Sequence, residues 1–106
     1  MNKIVIAQEF TRTPGPRNQD EGDFSGELFL KEKLEPLFLK SRDTGLSLLV
    51  DLDGAEGYAT SFLEAAFGGL ARKYGADVVL KTLSFKSDDE PYLIDEIKDY
   101  VQQANA

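Results

Sequence analysis

The sequence predicts an α/β fold: a small mixed, mostly parallel sheet covered by about three helices. Two observations predict it. Short runs rich in β-branched and apolar residues stand at 4–6, 46–52 and 78–85, and they alternate with segments whose apolar residues recur at helical spacing. The middle run is almost continuously apolar and ends in Asp51-Leu52-Asp53-Gly54, where an acidic turn leads into the next helix. In an open α/β sheet, sites gather at the carboxyl ends of the strands, so this turn is the place to look for function.

The chain has 106 residues, enough for a single domain spanning 1–106 with one core. It has no cysteine and no histidine. Disulfides, thiolate chemistry, imidazole ligands and a Ser-His-Asp triad are therefore excluded. Any metal would need carboxylate and carbonyl ligands, and we expect no cofactor and no metal. The net charge of −7 disfavours nucleic acid and anionic lipid as partners. No apolar run approaches a membrane span, and residues 1–9 lack signal-peptide character, so the cytoplasm is the expected compartment.

Taken in order, residues 1–10 carry Ile4, Val5, Ile6 and Phe10 and read as a strand buried on both faces. Residues 11–24 are a loop, because Thr13-Pro14-Gly15-Pro16-Arg17 cannot be helical and Asn18-Gln19-Asp20-Glu21-Gly22-Asp23 is a run of polar turn formers. The loop leaves room for a further strand antiparallel to the first. Arg17 within it is read as a solvated charge or as a contact to an acidic turn or a partner.

Ser25 is placed as an N-cap for a first helix carrying Leu28, Phe29, Leu34, Leu37 and Phe38, in which Pro36 should kink or split the helix. Residues 41–45 are a short connection to the central strand at 46–52. Ser61-x-x-Glu64 has capping-box spacing and opens a second helix with the stripe Leu63, Phe67, Leu70 and Tyr74. Phe62 and Phe67 are expected in the core. Gly68-Gly69 inside that helix suggests close approach of another backbone, and Gly75 ends it. Val78, Val79, Leu80, Leu83 and Phe85 predict a third strand. An acidic turn at 87–90 and Pro91 then lead to a last helix with Leu93, Ile94, Ile97, Tyr100 and Val101 inward, fraying from residue 102.

The strings Gly22-Asp23-Phe24-Ser25-Gly26-Glu27-Leu28-Phe29, Val50-Asp51-Leu52-Asp53-Gly54 and Gly57-Tyr58-Ala59-Thr60-Ser61-Phe62-Leu63-Glu64-Ala65-Ala66-Phe67-Gly68-Gly69-Leu70 resemble the bacterial STAS-like domain family of unknown function. The run from Ser61 to Leu70 is the most specific part. That family is similar to STAS domains, the fold of anti-sigma-factor antagonists, in which a strand leads to a turn bearing a serine or threonine at a helix start. An ATPase-type kinase phosphorylates that residue and so breaks the contact with the kinase or anti-sigma factor. The resemblance implies a regulatory, partner-switching protein–protein interaction module. It docks a kinase or a sigma or anti-sigma factor through residues 54–70. By position Thr60 and Ser61 are the phosphoacceptor candidates, and Asp51, Asp53, Gly57, Tyr58, Glu64, Gly68, Gly69 and Arg17 shape the turn or the partner surface. This chain departs from the antagonist pattern at Ala59, where an aspartate is usual, and at Phe62, where a glycine is usual. The plainer reading makes Ser61 a cap and Thr60 a turn residue.

Two further readings compete. Asp51-x-Asp53-Gly54 after a buried strand also resembles the first motif of haloacid-dehalogenase-type phosphatases, with Ser87-Asp88-Asp89 as a distal acidic motif. Ala55 replaces the usual threonine there, and too little chain follows for that fold, so the motif is read as a decoy. The alternative to an interaction module is a small-ligand or magnesium-binding domain using Asp51 and Asp53. In the non-catalytic reading these aspartates satisfy turn amides or orient Arg17. The expectation is a non-enzymatic regulator of unspecified oligomeric state.

Overall fold

The structure is a computed structural model that describes residues 2–17, 20, 22 and 24–104. Asn18, Gln19, Glu21 and Asp23 of the expected loop lie outside the described residues, as do Met1, Asn105 and Ala106. Three strands form a parallel sheet in the order β1-β2-β3, with β1 Asn2–Val5, β2 Leu48–Asp51 and β3 Leu83–Lys86. The register pairs Ile4 with Val50 and Phe85, so β1, β2 and β3 end together at Val5, Asp51 and Lys86. Five helices accompany the strands among the described residues: α1 Ile6–Glu9, α2 at 26–44, α3 at 60–74, α4 Ala76–Thr82 and α5 Tyr92–Ala104. The described part of the loop after β1 contains no strand, so the sheet is parallel throughout.

The first strand is shorter than expected and is not buried on both faces. Ile4 is fully buried, Val5 is half-buried and Lys3 is exposed. Ile6 already belongs to α1, a single turn whose Glu9 carboxylate reaches back to accept the Val5 amide at 2.7 Å. That bond satisfies the last strand donor and turns the chain away from the sheet.

Helix α2 starts as Ser25 predicts: its hydroxyl accepts the Leu28 amide at 3.0 Å. Pro36 neither splits nor stops it. A π turn at Leu30–Leu34 precedes the proline, and the Glu35 amide reaches Leu30 rather than Lys31. The wider turn accommodates the missing donor and the ring within a continuous helix. Residues 41–44, expected as a connection, are its last turn. Gly45 follows at φ 75°, and the Leu46 amide closes on Ser41 at 3.1 Å.

Helix α3 carries a second π turn at Glu64–Gly68 and ends at Gly75, as expected. Residues 76–82 are helical, against the strand expected at 78–80. Ala76 and Val79 face the core, while Val78 is exposed, which is the helical and not the alternating pattern. The third strand is confined to Leu83–Lys86. Helix α5 runs through Ala104, so residues 102–104, expected to fray, are helical.

The core lies between the sheet and the helices. Phe29, Phe38, Phe62 and Phe67 are fully buried with Ile4, Leu48, Val50, Leu70 and Ile97. Phe29 and Phe62 stack with ring centres 5.7 Å apart, and Phe67 meets Phe85 edge-on at 5.8 Å. Among the described residues, no helix is long and apolar enough to cross a membrane.

Helices α2 and α3 approach closely at Gly26. A Cβ there would lie 2.5 Å from the Phe62 carbonyl oxygen and 3.0 Å from the Ala65 Cβ. At Gly68 and Gly69, where a backbone approach was expected, the nearest groups are the Glu64 carboxylate and the Leu30 side chain. Gly26→Ala should therefore destabilise by about 1–3 kcal/mol, through overpacking against backbone. Gly15→Ala, with only an ordinary 3.8 Å contact, should stay within about 0.5 kcal/mol. Urea unfolding of the two variants against the parent checks the contrast.

Candidate functional site

At the carboxyl end of β2 the chain must turn from a buried strand to an exposed loop, and its donors need partners. Asp51 supplies the first: its Oδ1 accepts the Asp53 amide at 3.0 Å, and its Oδ2 lies 4.0 Å from Lys3 Nζ. Asp53 points the other way, toward the loop after β3. Its Oδ1 accepts the Asp89 amide at 2.9 Å, its Oδ2 takes Lys86 Nζ at 2.6 Å, and Asp89 in return accepts the Gly54 amide at 3.2 Å. These reciprocal bonds tie the ends of β2 and β3 together. The amide and the ammonium hold the Asp53 carboxyl well below its ordinary range, at about 2. The same carboxylate, with Asp88, raises the Lys86 pKa.

Both aspartates thus serve turn amides, but neither orients Arg17. Asp53 is filled by an ammonium, and among the described residues no group of three or more His, Cys, Asp or Glu is placed to hold a metal. The distal Ser87-Asp88-Asp89 stretch does meet Asp53, through the Asp89 backbone and not through a cluster of carboxylates.

The turn continues through Gly54 and Gly57, both at positive φ (90° and 139°), conformations that a side chain would strain. Tyr58 folds inward, and its hydroxyl donates to the Leu52 carbonyl at 2.9 Å. Burial raises its pKa, with help from the Asp51 and Asp53 charges. Tyr58 therefore braces the turn.

Ala59 occupies the cap position of α3, and Thr60 is its first helical residue. The capping box does not form. Ser61 lies inside the first turn, and its hydroxyl donates to the Gly15 carbonyl at 3.1 Å. Glu64 holds two arginines instead of a helix amide. Its Oε2 takes Arg72 at 2.6 Å, and its Oε1 takes Arg17. Arg72, then Arg17, lower its pKa against the opposing effect of burial.

Thr60 is exposed and Ser61 is half-buried. Thr60 approaches the Tyr100 hydroxyl, whose own donor goes to Glu96 at 2.8 Å. Behind them Phe62, Leu63, Ala66, Phe67, Gly68 and Leu70 are buried, so α3 presents no broad free face. Gly69 is half-buried and floors a shallow cleft of about 230 Å³ lined by Arg17, Glu27, Leu30, Ala65 and Arg72.

The structure brings Asp51, Asp53, Gly57 and Tyr58 together in one turn, with Thr60 at its exit. Arg17, Ser61, Glu64 and Gly69 gather along one side of α3. Sequence reasoning missed Lys86 and Arg72, and it met Asp89 only in the phosphatase-like reading set aside as a decoy. Arg72 lies on the same helix as Glu64 but eight residues on, outside the i,i+3 and i,i+4 spacings that flag a pair.

Asp53 also sets a pH dependence. Its folded pKa is depressed to about 2 from 3.8, so its contribution is present above pH 4 and is lost as pH falls toward 2. The melting-temperature gap between parent and Asp53→Asn should be widest near pH 7 and close between pH 4 and pH 2. Thermal melts at pH 7, 4, 3 and 2 measure it. A gap independent of pH would remove the carboxylate as its cause.

A family described as a STAS-like domain of unknown function matches residues 25–93, from the cap of α2 into the first turn of α5. No curated protein and no solved structure matches the chain. The matched span holds β2, the acidic turn, α3 and β3. On that span, this chain belongs to the family of STAS-like domains of unknown function.

Proposed function

We propose that this chain is a regulatory protein–protein interaction module of the anti-sigma-antagonist kind, acting in a bacterial cytoplasm. It docks a protein partner, an ATPase-type Ser/Thr kinase or a sigma or anti-sigma factor, through the turn and the adjoining helix at 54–70. A phosphate on Thr60 breaks the contact. Family membership supports a regulatory or interaction role.

The observation that carries the reading is the placement of Thr60. It is exposed, it is the first residue of a helix of fifteen, and the turn before it is held by Asp51, Asp53 and Tyr58. Such a hydroxyl is ordered yet reachable. Its own helix end tolerates an added phosphate, since free amides and the helix dipole favour negative charge there. A partner surface pressed against the same turn would have to bury about −1.5 to −2 added charge. Ser61 is the poorer acceptor, because its hydroxyl is half-buried and engaged with Gly15. The docking surface on this reading is residues 54–61 with the Glu64 and Gly69 edge, because the rest of α3 is packed.

The test compares tagged parent, Thr60→Ala and Thr60→Glu as baits in the host, with mass spectrometry of the retained proteins and of Thr60. The expected result is a kinase or a sigma or anti-sigma factor held by parent and Thr60→Ala, with phosphate on Thr60 of the parent. Retention by Thr60→Glu should fall about tenfold or more, because a partner docked over the turn would have to bury the added charge. Equal retention by both variants overturns the switch. A parent bait that holds no such protein overturns the docking role.

A further inference from the structure

Residues 12–17 lie as a strap over the turn. The Arg12 carbonyl accepts the Glu56 amide at 2.8 Å, and the Pro14 carbonyl accepts the Ala59 amide at 3.0 Å. Farther along, the Pro16 and Arg17 carbonyls accept the Gly26 and Glu27 amides at 2.8 and 3.0 Å, capping the start of α2. Two side-chain contacts pin the strap to α3: Ser61 to the Gly15 carbonyl at 3.1 Å, and Glu64 to the Arg17 guanidinium. The strap thus covers the two backbone donors, Glu56 and Ala59, at the centre of the docking turn.

We propose that residues 12–17 are a latch that shields the docking turn and opens without unfolding α2 and α3, with Ser61 and Glu64 as its two pins. The inference rests on the reading of 54–61 as the docking turn and adds its regulation.

Three features make opening local. Of the strap's side chains only Pro14 is buried, whereas the helices beneath hold Phe29, Phe62 and Phe67 fully buried. Little apolar area is exposed when the strap lifts, so the opening lies far below global unfolding in free energy. The Arg17–Glu64 pair is partly in solvent, at 42% and 24% side-chain exposure, and is therefore weak and screened by salt. Arg72 stays on the other Glu64 oxygen when Arg17 leaves, so the carboxylate is never stranded. The prolines keep the released strap extended.

The test is residue-resolved amide hydrogen exchange on the full chain, comparing parent with the Ser61→Ala/Glu64→Gln double variant. Each lost pin should speed exchange of the Glu56 and Ala59 amides by about 2- to 10-fold, while core amides of α5 keep the parent rate. Unchanged exchange at Glu56 and Ala59 overturns the latch. If α5 exchange rises equally, Arg17→Gln decides, since it removes a pin from the strap side alone. Faster exchange at Glu56 and Ala59 in that variant, confined to the turn, supports the latch, and exchange at the parent rate overturns it. The measurement needs no partner, so failure of the latch is separable from failure of the docking role.

Discussion

The close crossing of α2 over α3 at Gly26 governs the arrangement of everything above it. With no side chain at 26, the first turn of α2 rests on the backbone of Phe62, and Phe29 and Phe62 stack beneath. Two helix N-termini are thereby set side by side. Each begins with amides that its own helix cannot satisfy. Ser25 serves one of them, and the carbonyls of residues 14, 16 and 17 serve others at Ala59, Gly26 and Glu27. The described part of the loop after β1 meets these donors because the crossing creates the demand, and its prolines suit a segment that only accepts. A methyl group at residue 26 would disturb the core, and through it the loop and the turn that form the candidate site.

Both long helices answer their local constraints with a π turn. In α2 it precedes Pro36 and accommodates the absent donor. In α3 it spans Glu64–Gly68, where the Gly69 amide reaches Glu64. That turn widens the helix where Gly68 leaves room for the Glu64 carboxylate, against which a Cβ at 68 would lie 2.6 Å. Gly68 and Gly69 are poor helix formers by propensity, and packing explains them: one makes space for an ion pair, the other for Leu30.

What the sequence disclosed follows from how local each signal is. Ser25, Gly75 and the apolar run expected as a strand at 46–52 act on their own neighbours; the cap and the terminator appear where the sequence places them, and the strand forms over Leu48–Asp51, with Leu46 left exposed before it. The apolar stretch at 78–80 was ambiguous, because Val-Val-Leu suits a buried strand as well as a short helix. Only the position of Ala76 and Val79 against the core decides for the helix. Ser61 and Glu64 have capping-box spacing, but the box loses to tertiary partners: Gly15 takes the hydroxyl, and Arg17 and Arg72 take the carboxylate. A sequence read in one dimension cannot show residue 15 beside residue 61, or residue 86 beside residue 53. The turn itself was legible because its aspartates, glycines and Tyr58 are contiguous. Its clasp to β3 and its strap were not, since both arrive from distant segments.

The electrostatics of the turn bear on the proposed switch. From sequence, Asp51, Asp53, Glu56 and Glu64 suggest a patch so acidic that one more negative group merely adds to it. The folded chain distributes them differently. Asp53 is paired with Lys86, Asp51 lies near Lys3, and Glu64 faces away between Arg17 and Arg72. In a chain of net charge −7, three of those four carboxylates are thus paired, and Glu56 stays exposed in the turn. A switch depends on contrast between its states. In a turn already densely negative, a partner would have to be strongly basic in both states, and one phosphate would alter its affinity by a small fraction. In a turn most of whose carboxylates are paired, a phosphate on Thr60 adds about −1.5 to −2 charge beside the exposed Glu56, with solvent on one side and the start of α3 on the other. The pairing of the acidic residues, more than their number, is what allows one hydroxyl to control the surface on the proposed reading.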